Sequence, residues 1–345
     1  MTLDKYQILK TFCDLHGPVG RETTVQSKLK ELISKYCSDI IQDKIGNLSA
    51  TLHGKKGKYA VIAHADEVGF LVSRISDDGF IQVKWNTSGH IPDLRLLPGQ
   101  RVFIMTDSNI IPGCFAVKTA HIAGPKGKKV IPKYEEVFID VGAQSSDSIR
   151  EMGINIGDPV VYATSLERYG QRAIGKSIDN RIGIAIMLIL AERLSKIPEG
   201  DRPTVTFIST VMEEMGAKGA AAIARDLDVD GVIIAEVGLT DDYPGTSGEA
   251  GVSLGKGPVV VIKDTQIHYS HEQNTSIFEV AESNDIGIQR AVYHNYATDG
   301  LQIATQGQLA SVIAVPCRYT HSSFEMIDLA DMSKAIELIY EFLIR

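Results

Sequence analysis

The chain has 345 residues, 44% of them hydrophobic and 23% charged, with a formal net charge of −8. That length holds one large α/β domain with an insertion, or two domains. The acidic balance argues against a nucleic-acid partner, which calls for a basic face, and the longest apolar run, Ile182–Ala191, falls far short of the roughly 20 residues that span a bilayer.

Two helices are predicted at the start. Leu3–Gly17 spaces its apolar residues at three and four and stops on glycine, and Glu22–Cys37 repeats the spacing. Strand-like runs follow at Asn47–Gly54 and Lys58–Ala65. From about Ser73 to Arg168 short alternating segments such as "GFIQVKW", "RVFIMT", "EVFIDVG" and "DPVVYAT" are separated by Gly, Pro, Asn and Asp, a small all-β pattern. The basic run Lys126–Lys129 within it reads as a solvated loop.

A βαβ rhythm then resumes. A long helix, "SIDNRIGIAIMLILAERLSK", precedes the strand Thr204–Val211; the helix "AKGAAAIARDL" precedes the strand Gly231–Gly238. Helix "TSIFEVAESNDI", strands "IQRAVY" and "LASVIAVP" and a closing helix "DMSKAIELIYEFLIR" complete the chain. The expected fold class is α/β, a mostly parallel mixed sheet flanked by helices, with an inserted small β-barrel-like domain. The expected division is 1–72 with 169–345 as one domain and 73–168 as the insertion. Cys13, Cys37, Cys114 and Cys317 show no disulfide or CxxC spacing, and the opening segment lacks a basic stretch followed by an apolar one. A cytoplasmic location is expected.

In open α/β sheets functional groups gather at the carboxyl ends of strands. "AVIAHADEVGF" delivers His64 and Asp66 there, "STVMEE" delivers Glu213 and Glu214, "VIIAEVG" delivers Glu236 and "VIAVPCRYTHSSFE" delivers His321; Asp179 opens the long helix in "GKSIDNR". Taken singly, each has a bland reading: a hydrogen-bonded histidine, an N-cap aspartate, a solvated turn. Together they form the ligand set of borderline divalent metals: zinc first, with cobalt and manganese as alternatives. A pair of metals about 3.5–4 Å apart needs a bridging carboxylate, terminal ligands and a general base for the water between them. Neighbouring side chains diverge as a chain leaves a strand, so Glu214 can bind metal while Glu213 faces the water, and two cations offset the repulsion of the adjacent pair.

"HADEVGF", "GKSIDNR", "EEMGAKGA", "AEVG" and "RYTHSSFE", in that order, closely resemble the tetrahedral dinuclear metallo-aminopeptidases, the family of glutamyl, leucyl, lysyl and deblocking aminopeptidases. The resemblance spans nearly the whole chain. It implies a zinc-peptidase-like fold and hydrolysis of N-terminal residues from short peptides. It implies two divalent metal ions per subunit, with His64 as a terminal ligand oriented by Asp66, Asp179 as the bridge, Glu214 and His321 on the second metal and Glu213 as general base. Glu236 stands where the family usually has aspartate, on the first metal. The resemblance further implies that the inserted domain makes dimers and that twelve subunits form a hollow tetrahedron. "PCRYTHSS" and "TDG" (Thr298–Gly300) depart from the family's wording around the substrate pocket. His121 lies in a family segment that ends in histidine, with a structural role or a role at a neighbouring subunit's site as its two readings.

Other candidates are weaker. His268 and His271 stand three apart beside Glu272 but do not form HExxH, and Gly245–Glu249 is not GxSxG. A glycosidase with two carboxylates, Glu213 with Asp179 or Glu236, is a second enzymatic reading that leaves His64 and His321 without a role. A catalytically weakened peptide-binding or assembly scaffold is a third.

Overall fold

The computed structural model describes residues 3–88, 92–127, 129–248 and 250–345. Lys128 of the basic run and Glu249 of the Gly245–Glu249 segment lie outside the described residues. The chain divides into two compact units: 1–67, 165–320 and 324–345 form the first, and 68–164 with 321–323 form the second.

The first unit is built on an eleven-stranded sheet. Its centre is parallel: Thr204–Thr210 pairs with Lys58–His64, that strand with Gly231–Leu239, and that in turn with Ala310–Arg318. These four are the β-branched apolar runs of the sequence, and their continuous hydrophobicity is explained by burial on both faces. Alternation assigns the faces. Val61, Ala63, Ile233, Ala235 and Val237 belong to one core cluster with residues of the helices Lys5–Cys13, Thr23–Ile33, Ile178–Ser195 and Leu329–Ile344. Ala60, Ile62, Val232 and Ile234 belong to a second, with Ala217, Ala220, Tyr269, Tyr293, Tyr296 and Ile303.

The flanks are antiparallel and less legible in the sequence. Ser38–Gln42 and Leu48–Leu52 extend one edge; Glu325–Asp328, Arg172–Gly175 and Glu167–Tyr169 extend the other. Val259–Lys263 joins Ala310–Arg318 antiparallel and carries the parallel strand Gln289–Val292. The helix expected to begin at Thr275 starts one turn earlier: it spans His271–Ser283, and the Ser270 hydroxyl accepts from the Gln273 amide at its N-terminus. Capping explains why the histidine-bearing segment "HYSHEQN" holds a helix start. The run "AKGAAAIARDL" is an α-helix only over Lys218–Ile223, then a single 3₁₀ turn at Ala224–Asp226.

In the second unit six strands close into a barrel, in the order Phe70–Ile75, Phe80–Trp85, Phe138–Asp140, Ile110–Ala116, Arg101–Met105 and Pro159–Tyr162. Phe70, Val72, Ile81, Ile104, Phe115 and Ile139 fill its interior, and the Phe70 and Phe115 rings meet edge-on at 4.9 Å. Ala120–Gly127 and Ser146–Glu151 are helical, so the segment is not all-β as its turn spacing suggested.

Candidate active site

The parallel strands end side by side, and their exits supply an acidic cluster around one histidine. His64 is the last residue of its strand and is 2% exposed. Its Nε2 lies 3.1 Å from Asp179 Oδ1, 3.7 Å from Glu236 Oε2 and 4.0 Å from Glu213 Oε2, and its Nδ1 lies 3.5 Å from Asp66 Oδ1. Asp66 is fully buried, and its two oxygens accept the backbone amides of Glu213 and Glu214, each at 3.0 Å. One carboxylate therefore faces the imidazole and also fixes the backbone of both glutamates. The chain reaches that point through Met212 in the left-handed region at φ 54°, and the Met212 amide is held by the buried Glu22 carboxylate at 3.1 Å.

Asp179 lies in the first turn of the helix Ile178–Ser195 with an extended rather than helical backbone (φ −77°, ψ 106°), and its amide donates to Glu325 Oε2 at 3.0 Å. The next residue, Asn180, donates to the Ala235 carbonyl at 2.9 Å, joining the Asp179 segment to the strand that carries Glu236. Gly183 lets the helix approach: a Cβ there would lie 2.4 Å from the Ala235 oxygen and 2.6 Å from the Ala63 Cβ.

Electrostatics set the chemistry of this cluster. Burial pushes the Glu213 carboxyl well above the usual carboxylate range; His64 opposes that shift, while Glu214, Asp299 and Glu236 add to it. Burial does the same to Glu236, again against His64 and with Asp179 adding repulsion. For His64, burial works against the imidazolium, but Glu236, Asp179 and Asp66 outweigh it and raise the ring well above its ordinary value. So many carboxylates around one cationic ring leave a buried surplus of negative charge, which divalent cations would neutralise. One donor atom from each of His64, Asp179 and Glu214 lies within 4.8 Å of the others. An imidazole nitrogen with carboxylate oxygens suits zinc and its neighbours, and by this donor set and this charge the site fits a metal.

His321 follows the strand Ala310–Arg318, takes a left-handed φ of 63° and groups with the barrel unit. His121, on the barrel unit's helix Ala120–Gly127, is exposed, as are His268 and His271. Asp299 was missed as a member of the cluster. It is 1% exposed, accepts the Thr210 hydroxyl through Oδ2, and its Oδ1 has no hydrogen-bond partner among the described residues. Burial pushes it up to about 6, against His64 and Thr210. No apolar run leads into "TDG", so strand-exit logic could not find it.

A sequence profile described as M42 glutamyl aminopeptidase matches residues 46–338. The chain belongs to the M42 glutamyl aminopeptidase family. It is 30% identical over 344 residues to the putative aminopeptidase FrvX of Escherichia coli, covering 98% of this chain and 94% of that protein. Among solved structures, the TET aminopeptidase of Thaumarchaeota archaeon SCGC AB-539-E09 superposes with a TM-score of 0.92 at 30% identity, over 99% of this chain and 96% of that one. The TET1 peptidase of Pyrococcus horikoshii, which can assemble into a tetrahedron or a large octahedral shell, gives 0.88 at 26% identity over 99% of both chains. The protein is thus a metal-dependent aminopeptidase, a hydrolase of peptide bonds, and the glycosidase reading gives way to it. Among the described residues no helix is long and apolar enough to cross a membrane.

Proposed function

We propose that the enzyme removes N-terminal residues from short peptides with two divalent cations, zinc first and cobalt or manganese as alternatives. His64, Asp179, Glu214, Glu236 and His321 would hold them. When bound, the cations supply Lewis-acid polarisation of the scissile carbonyl and lower the pKa of the attacking water. Glu213 accepts that water's proton and returns it to the leaving amine. Asp66 holds the Glu213 and Glu214 backbone so that the two side chains part toward separate tasks. Glu236 has one methylene more than the aspartate usual at its position; its Oε1 accepts the Val237 amide at 2.8 Å, leaving Oε2 toward His64.

The observation that carries this reading is the double amide clamp of Asp66 beside the His64–Asp179–Glu214 cluster. The barrel-bearing insertion, residues 73–168, serves as a dimerisation module, and dimers assemble into a tetrahedral dodecamer in the cytoplasm; the assemblies recorded for the P. horikoshii relative support the oligomeric part. Glu213→Gln tests the chemistry. It should retain both metals and lose nearly all turnover; more than about a tenth of kcat, a loss below ~1.4 kcal/mol, would remove Glu213 as the base.

A further inference from the structure

Glu67 follows Asp66 and has no part in the proton transfers above. It is nonetheless 1% exposed, in surroundings where an isolated carboxylate is costly. Both its oxygens are doubly engaged. Oε2 accepts from Lys176 Nζ at 2.6 Å and the Ser177 hydroxyl at 2.5 Å, and Oε1 accepts from the Gly17 amide at 2.8 Å and Arg181 Nη2 at 3.2 Å.

The sequence positions of these donors matter. Lys176 and Ser177 precede Asp179 by three and two residues, and Arg181 follows it by two. One carboxylate therefore grips the Asp179 segment on both sides, while its own backbone carries Asp66. Ser177 sits at φ 59°, a left-handed conformation disfavoured for a residue with a Cβ, and its hydroxyl is held on Glu67.

Charge is the second observation. Lys176 and Arg181 are 1% and 0% exposed, so one buried carboxylate faces two buried cations. The surplus is met in part by carbonyls: Arg181 donates to Ala65 and Phe12, and Lys176 to Leu15. A buried ion pair kept for stability alone is replaceable by apolar packing with little loss. Here the surplus cation belongs to the same segments as the acidic cluster around His64, where positive charge is short.

We propose that Glu67 is a positioning residue for the metal centre, holding the Asp66 and Asp179 segments in one frame through Lys176, Ser177 and Arg181. The inference rests on Asp179 being a metal ligand. Burial alone would push the Glu67 carboxyl up, but Lys176 and Arg181 hold it down at about 2, so it is ionised throughout neutral pH.

The test is cobalt titration of metal-free, full-length protein, with the visible d–d spectrum of the bound ion as a second readout. Two variants are compared with wild type: Glu67→Gln, and Glu67→Gln/Lys176→Met, which restores the original net charge should the single variant fail to fold. Loss of an outer residue that orients ligands lowers metal affinity about 10- to 100-fold. That loss, with an altered spectrum, is expected in whichever variant folds. Wild-type affinity and spectrum in a folded variant would overturn the proposal, whatever its thermal midpoint, because a purely structural ion pair moves only the midpoint. Asp179→Asn separates the two levels. Lost cobalt binding there upholds the ligand reading on which the proposal rests, and unchanged binding overturns both.

Discussion

Asp66→Asn is the most informative single substitution at the site. The side chain is fully buried and accepts two backbone amides at 3.0 Å each. A hydrogen bond to a charged acceptor contributes about 1.5–3 kcal/mol, and a buried donor left facing no acceptor costs a similar amount. Asparagine keeps one oxygen and turns an NH₂ toward the other amide, so one of the two bonds is lost. If that loss is felt at Glu213 in the transition state, kcat/KM falls about 10- to 150-fold, at ~1.4 kcal/mol per decade. Asp66→Ala would remove both bonds, about 3–6 kcal/mol against a total stability of about 5–15 kcal/mol, and would confound catalysis with unfolding. The assay is hydrolysis of a chromogenic aminoacyl substrate, with metal content and circular dichroism measured on the same sample. A kcat/KM within about threefold of wild type, in folded and metal-replete protein, would refute the clamp as the source of the Glu213–Glu214 geometry.

Three further outcomes follow from the same structure. Gly183→Ala should destabilise the protein by about 1–3 kcal/mol and weaken cobalt binding, because the new Cβ would meet the Ala235 oxygen, the Ala63 Cβ and the Asn180 side chain, each one residue from a proposed ligand; thermal denaturation and a metal titration check it. His321→Ala should lower the bound-metal count, and an unchanged count by elemental analysis would strike His321 from the ligand set. Glu67 has a folded-state pKa of about 2 against an ordinary 4.5. Its ionised form therefore contributes stability, roughly 3 kcal/mol, above pH 4.5, and that contribution is lost as pH falls toward 2. Glu67→Gln should flatten the stability profile across that window in urea denaturation, and a profile parallel to wild type would contradict the assignment.

Sequence made parts of this molecule readable for physical reasons. His64, Glu213, Glu214 and Glu236 each stand in or just after an uninterrupted β-branched run, where a charge is costly unless it has a task, and the structure gathers them. Asp179 was readable because it opens a helix. Asp299 was not: it follows a loop, and only the return of "TDG" to the Thr210 strand end brings it into the cluster. Glu67 lay within a recognised motif but carried no sign of its partners, since Lys176, Arg181 and Gly17 come from distant segments. The short antiparallel strands Arg172–Gly175 and Glu325–Asp328 escaped because four residues show too little period to separate strand from loop. The missed start of the helix His271–Ser283 has a different cause: polar residues fill its first turn, and the apolar spacing begins only at Ile277.

As the metal centre of an aminopeptidase, this acidic cluster should make all turnover depend on bound cations. The direct measurement is hydrolysis of an aminoacyl p-nitroanilide, and of its N-acetylated counterpart, by metal-free enzyme and by the same enzyme reconstituted with zinc, cobalt or manganese. Silence without metal, recovery on reconstitution, and turnover only of the free-amine substrate are expected. Full activity after complete metal removal would contradict that dependence.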